Sequence, residues 1–129
     1  MQEHPTAVLI FDRDGEAWAF PRIEDAAGSM DSRAVLDGEY EAAFTLDGHV
    51  VAINGIRDGP VSLTVTDESD ETALRDFLSG SQTRMGFTSD ADDPVAVANE
   101  LIRLEWERRS PRLPGWMRRR LYGDQPPQV

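Results

Sequence analysis

Apolar positions in the first half of the chain recur with the two-residue period of strands, and those in the second half with the 3.6-residue period of helices. Residues 6–11 (TAVLIF) form an unbroken apolar run rich in strand formers, followed by Asp12-Arg13-Asp14-Gly15 and then by a segment with Trp18 and Phe20 on one face. A strand, an Asp-Gly turn and a second alternating strand predict a β-hairpin. Pro21 stops the second strand, and residues 23–30 read as a helix of about two turns that Gly28 weakens. Residues 39–45 alternate again, with Tyr40, Ala42 and Phe44 opposed to Glu39, Glu41 and Ala43, which predicts a half-buried strand with a solvated back. Turns at Asp47-Gly48 and Asp58-Gly59-Pro60 introduce strands over 49–53 and 61–66. Such short connections fit only antiparallel pairing, so residues 6–66 are expected to form an antiparallel sheet of four or five strands.

Acids at 67–71 stand where a helix N-terminus favours them, and Leu74, Phe77 and Leu78 follow at helical spacing. A helix is therefore expected over 68–79, stopped by Gly80, with a polar loop over 80–92 anchored by Met85 and Phe87. Asp93-Pro94 is a good N-cap with proline in the first helical position. From there to residue 109, Val97, Leu101 and Leu104 make one stripe and Val95, Ala98, Ile102 and Trp106 an adjacent one, a width expected of a helix packed on two sides. Glu105 is spaced to pair with Arg108 and Arg109, and Pro111 closes the helix. A last helix is expected over 114–122, stopped by Gly123, with a disordered tail at 124–129. Strands first and helices afterwards predict one α+β domain over 1–123, its C-terminal helices packed on one face of the sheet.

Charge alters this picture more than any other global property. There are 24 acidic residues against 13 basic ones, all of them Arg, for a formal net charge of −11. Without lysine there is no Schiff-base or P-loop lysine chemistry, and so acidic a body repels nucleic acid. The balance is uneven: Arg108, Arg109, Arg112, Arg118, Arg119 and Arg120 lie close together with no acid between them. Leu113, Trp116, Met117, Leu121 and Tyr122 are interleaved there, so this segment is expected to fold back on its own acidic domain, with arginine stems covering apolar surface. With no cysteine there is no disulfide, thiolate nucleophile or zinc knuckle. No apolar run approaches the roughly 20 residues that span a membrane, and the first residues lack a basic n-region. A cytoplasmic protein without membrane or nucleic-acid partners is expected.

Only one segment carries specific catalytic chemistry. Val8-Leu-Ile-Phe-Asp12-Arg-Asp14-Gly15 resembles the first motif of the haloacid-dehalogenase-like phosphatases, an apolar strand followed by DxDG. The resemblance implies that Asp12 is the nucleophile and Asp14 the general acid of a magnesium-dependent phosphatase. By the same resemblance Thr66 and the pair Asp92-Asp93 would stand for the family's second and acidic motifs. Glu16 occupies a position where the family has Thr or Val, the family's basic residue (usually Lys) is missing, and its sheet is parallel where a hairpin is expected here. A turn with solvated aspartates accounts for the same residues. His4 and His49 have no nucleophile in a recognisable setting, and no EF-hand-like acidic loop occurs. No cofactor or metal is expected.

The acidic clusters Asp67, Glu68, Asp70, Glu71 and Asp90, Asp92, Asp93 remain. They read as helix-capping groups, as a face for a basic protein surface, or as both. The run through Ile23–Met30, Leu36–Phe44 and Asp47-Gly48 looks like small, uncharacterised acidic bacterial proteins, some of them immunity factors encoded beside polymorphic toxins. The resulting expectation is a non-enzymatic inhibitor or immunity protein that binds a basic partner, with a toxin as one candidate, through the acidic clusters. The alternative is a regulatory or structural interaction module, and the phosphatase is the remote one.

Overall fold

The computed structural model describes residues 6–57 and 59–109. The domain is α+β, with a five-stranded antiparallel sheet in the order β2-β1-β3-β4-β5. The strands are β1 (Val8–Asp12), β2 (Ala17–Phe20), β3 (Tyr40–Thr45), β4 (His49–Gly55) and β5 (Val61–Ser69). Helices α1 (Ile23–Ser29) and α2 (Ser32–Leu36) join β2 to β3, and α3 (Glu71–Met85) and α4 (Pro94–Arg109) follow the sheet.

The unbroken apolar run has a simple cause. β1 is flanked by strands on both sides and covered on both faces, so none of Val8, Leu9, Ile10 and Phe11 is more than 1% exposed. Leu9 and Phe11 face a core built with Phe44, Leu74, Leu78, Val97, Ala98 and Leu101, which brings α3 and α4 onto one side of the sheet. Phe11, Phe44 and Phe77 meet there, with centroids 5.0 to 6.1 Å apart. Val8 and Ile10 face a second core with Ala26 of α1, Ala43 and Val51. The expected solvated back of β3 is thus overturned at Ala43, which α1 covers, while Glu39 and Glu41 are exposed.

Three further expectations are corrected. The helix expected over 68–79 is α3 at Glu71–Met85, because β5 continues to Ser69 and keeps Asp67 and Glu68 in the strand. Gly80 lies exposed inside α3 and does not end it: burial of Leu74, Leu78 and Ser81 offsets the roughly 1 kcal/mol cost of an interior glycine. The stop is Gly86, in the left-handed region at φ 75°, whose N–H donates to Gln82 O at 2.7 Å. On α4, whose start at Pro94 matches the expectation, Val97, Ala98, Leu101 and Ile102 are buried but Val95 and Leu104 are exposed, so the apolar stripe is narrower than the pattern implied. Residues 110–129, with the helix expected over 114–122, the tail at 124–129 and Arg118, Arg119 and Arg120, lie outside the described residues. Among the described residues no helix is long and apolar enough to cross a membrane.

Candidate functional site

The two acidic clusters, about twenty residues apart in sequence, meet at the β3–β4 hairpin. Gly48 sits at its tip with φ 93°, and the N–H of Asp70 donates to Gly48 O at 2.9 Å, which pins the start of α3 to the turn. Glu71 and Leu74 of α3 and Asp92 and Pro94 at the start of α4 line one shallow depression with Leu46, Asp47 and Gly48. Asp67 and Glu68 arrive at the same end because Ser69 pairs with His49 across an irregularity in β5. That irregularity is held by Thr66, whose hydroxyl donates to Val50 O at 2.7 Å.

Part of each cluster is structural. Asp70 caps α3 by accepting from Ala73 N at 3.0 Å, and Asp93 caps α4 by accepting from Ala96 N at 3.2 Å. Each cap is worth about 1 kcal/mol. Asp90 accepts from Asp92 N at 2.9 Å and shapes the turn before α4. The carboxylates of Asp67, Glu68, Glu71 and Asp92 are exposed and make no ion pair among the described residues, although Arg75 lines the same depression. Asp47, at the rim of the depression, lies 3.8 Å from His49, and Arg103 pairs with Glu107 at 3.3 Å on α4.

Asp12 and Asp14 are at the opposite end of β1. Asp12 is committed to the β1–β2 turn: Oδ1 accepts from Asp14 N at 2.9 Å and Glu16 N at 3.0 Å, and Oδ2 accepts from the Trp18 indole at 3.2 Å. Thr66, Asp92 and Asp93 lie at the hairpin end, so the structure does not gather the five residues that the phosphatase resemblance would require. Among the described residues no three His, Asp or Glu side chains are placed to hold a metal ion together.

Around Asp12 the structure forms an open cleft of about 420 Å³, floored by Ile10 and Asp12 and walled by Trp18 and Phe20 of β2 and Tyr40 of β3. Met30 and Ser29 close it from the end of α1, and Asp14, Glu39 and Arg13 stand on its rim. The Arg13 N–H donates to Glu39 O at 2.9 Å, which ties the turn to the start of β3. Burial, then the carboxylates of Glu39, Asp31 and Asp12, push the Tyr40 phenol above its ordinary pKa, partly offset by a hydrogen bond from the Asp31 backbone.

Sequence reasoning missed this cleft because one residue of register decides it. Ala42 pairs with Phe11 but Tyr40 pairs with Asp12, leaving Glu41 as an extra residue, a β-bulge. Strict alternation puts Tyr40 with Ala42 and Phe44 on the α3/α4 side. The bulge turns it to the other face, beside Asp12 and Trp18. A second residue, Glu100, did leave a signal: it falls between Val97 and Leu101 on the buried side of α4.

Glu100 is 9% exposed and accepts four hydrogen bonds. Thr88 N and Ser89 N donate at 2.9 and 2.7 Å, and the Thr88 and Ser89 hydroxyls at 3.2 and 2.5 Å. Burial raises its pKa, but these four donors together outweigh burial and hold the carboxyl below its ordinary value. It locks the α3–α4 connection.

Comparison with protein-family models, curated proteins and solved structures finds no match for the chain.

Proposed function

We propose that this protein is a non-enzymatic binding domain, an inhibitor or immunity protein that engages a basic protein through its acidic surface. The observation that carries the reading is the convergence of two sequence-distant clusters on Gly48, with Asp67, Glu68, Glu71 and Asp92 left exposed and without ion pairs among the described residues. Capping accounts for Asp70 and Asp93, and the dipole of α3 favours Glu71 in its first turn; neither accounts for Asp67 and Glu68 in β5 or for the exposed Asp92. Exposed carboxylates gathered at one end of the sheet favour encounter with a positively charged partner and disfavour acidic ones. The net charge of −11 extends the same bias over the whole body.

The test is affinity capture by the tagged full chain from the native host, washed at low and then moderate salt, beside co-expression with the product of the neighbouring reading frame. One dominant basic protein retained at moderate salt, and released by Asp67→Asn, Glu68→Gln and Asp92→Asn together, is the expected result. Capture unaffected by that triple variant would refute the acidic face as the contact. No retained protein and no rescue from a neighbouring toxin would leave the regulatory or structural module as the better reading.

A further inference from the structure

We infer that the cleft between Trp18, Phe20 and Tyr40 is an anchor site for the guanidinium of an arginine side chain carried by the basic partner. This rests on the reading above that the partner is basic, and it names a surface outside the acidic clusters together with the chemistry that surface selects.

The construction of the cleft carries the inference. Cross-strand pairing puts Ile10 opposite Trp18 and Val8 opposite Phe20, so both aromatic side chains of β2 stand on the face that β1 presents with Val8, Ile10 and Asp12. The bulge at Glu41 then adds Tyr40 from the other side, directly opposite Asp12. Three aromatic side chains from two strands thus flank a carboxylate, over a floor completed by the apolar Ile10. Aromatic faces attract cations through their quadrupole, and carboxylates add hydrogen-bond acceptors that a guanidinium fork can use.

The other groups agree in sign. Three carboxylates, Asp12, Asp14 and Glu39, line the cleft against one guanidinium, that of Arg13. Arg13 is exposed and forms no ion pair with them. Trp18 is 36% exposed, held by its indole N–H on Asp12 with part of its ring left to solvent. An anionic ligand would meet like charge here, and a wholly apolar one would cover the Asp14 and Glu39 carboxylates without offering them a donor. A planar cation satisfies both walls and rim. Arginine is preferred to lysine because its flat head stacks on a ring while its donors reach acceptors beside it.

The probe is N-acetyl-argininamide, titrated into the ¹⁵N-labelled full chain, with N-acetyl-citrullinamide as the neutral isostere and N-acetyl-lysinamide for comparison. The Trp18 indole signal, assigned through Trp18→Phe, is the readout. Saturable movement with the arginine probe is expected, with the citrulline probe at least about fivefold weaker. Tyr40→Leu, and separately Asp14→Asn with Glu39→Gln, should each weaken binding by roughly three- to tenfold. The two rim substitutions fall on exposed residues and should leave the fold intact, which keeps the test decisive where Tyr40→Leu disturbs β3.

No saturable movement, or equal binding of the citrulline probe, would overturn the inference. So would amide shifts of equal size at Asp67 and Asp92, which mark a diffuse ion atmosphere. A Trp18 signal that moves without probe when Arg118, Arg119 and Arg120 are changed to Gln would assign the cleft to the chain's own arginines, and would overturn it too. A failed titration beside a successful capture removes this site and leaves the proposed function standing. A successful titration beside a failed capture does the reverse.

Discussion

Glu100 is the most informative residue to perturb, because every partner of its carboxylate lies in the two consecutive residues Thr88 and Ser89. Glu100→Gln keeps the shape but replaces one acceptor oxygen by an amide that offers hydrogens to groups already donating. The Thr88 and Ser89 hydroxyls can rotate to accept; their backbone N–H groups cannot. One N–H, at 2.7 or 2.9 Å in the native protein, is therefore left facing a donor or swings away with the loop. A hydrogen bond to a charged group contributes about 1.5–3 kcal/mol, and the four are not additive because they share one carboxylate. The expected loss is about 2–4 kcal/mol for Glu100→Gln, a large part of the roughly 5–15 kcal/mol that keeps a domain folded.

Urea denaturation of both proteins at neutral pH measures that loss. Its pH dependence separates the carboxylate's charge from mere packing. Because the folded pKa lies below the ordinary 4.5, the unfolded chain binds the proton more readily. The charge-dependent stabilisation is complete above that ordinary value and disappears as pH falls through the lower folded one. The gap between wild type and Glu100→Gln should therefore narrow from pH 6 towards about pH 3. Hydrogen exchange at Thr88 and Ser89 should accelerate in the variant before the sheet loosens. A gap below about 0.5 kcal/mol at neutral pH, or one that does not narrow in acid, would refute the reasoning.

Gly80→Ala should raise stability by about 1 kcal/mol, since the position is exposed in the interior of α3 and a Cβ there meets nothing within 4 Å. On thermal melting this is an increase of a few degrees, and a lower midpoint would contradict the placement of Gly80 inside a helix. Gly48→Ala should do the opposite by at least about 1–3 kcal/mol, through its positive φ and a Cβ that would come 2.6 Å from Glu71 Cγ. Because the same turn holds the acidic face together, that variant should also weaken partner capture at moderate salt. Capture at wild-type strength from a correctly folded Gly48→Ala protein would argue that the turn is unimportant to binding.

What the sequence determined by itself was local. The run at 6–11, the Asp-Gly turns and the Asp93-Pro94 start of α4 each rest on neighbouring residues alone: apolar continuity, a glycine able to take positive φ at Gly15 and Gly48, a side chain within reach of the first free N–H groups. These signals identified all five strands and an antiparallel α+β domain, though not the extension of β5 to Ser69. The tertiary structure decided where competing local preferences ended. Gly80 reads as a stop until burial of Leu78 and Ser81 on either side of it carries α3 on to Gly86. Ala43 reads as solvated until Ala26 and Ile10 enclose it, and Tyr40 takes the other face only because β1 and β3 pair across a bulge. The acidic residues were visible in the sequence as two clusters. Their union at Gly48 was not, since it depends on α3 and α4 both starting beside one hairpin. Packing contacts between distant segments carry that information, and no periodicity within either segment encodes it.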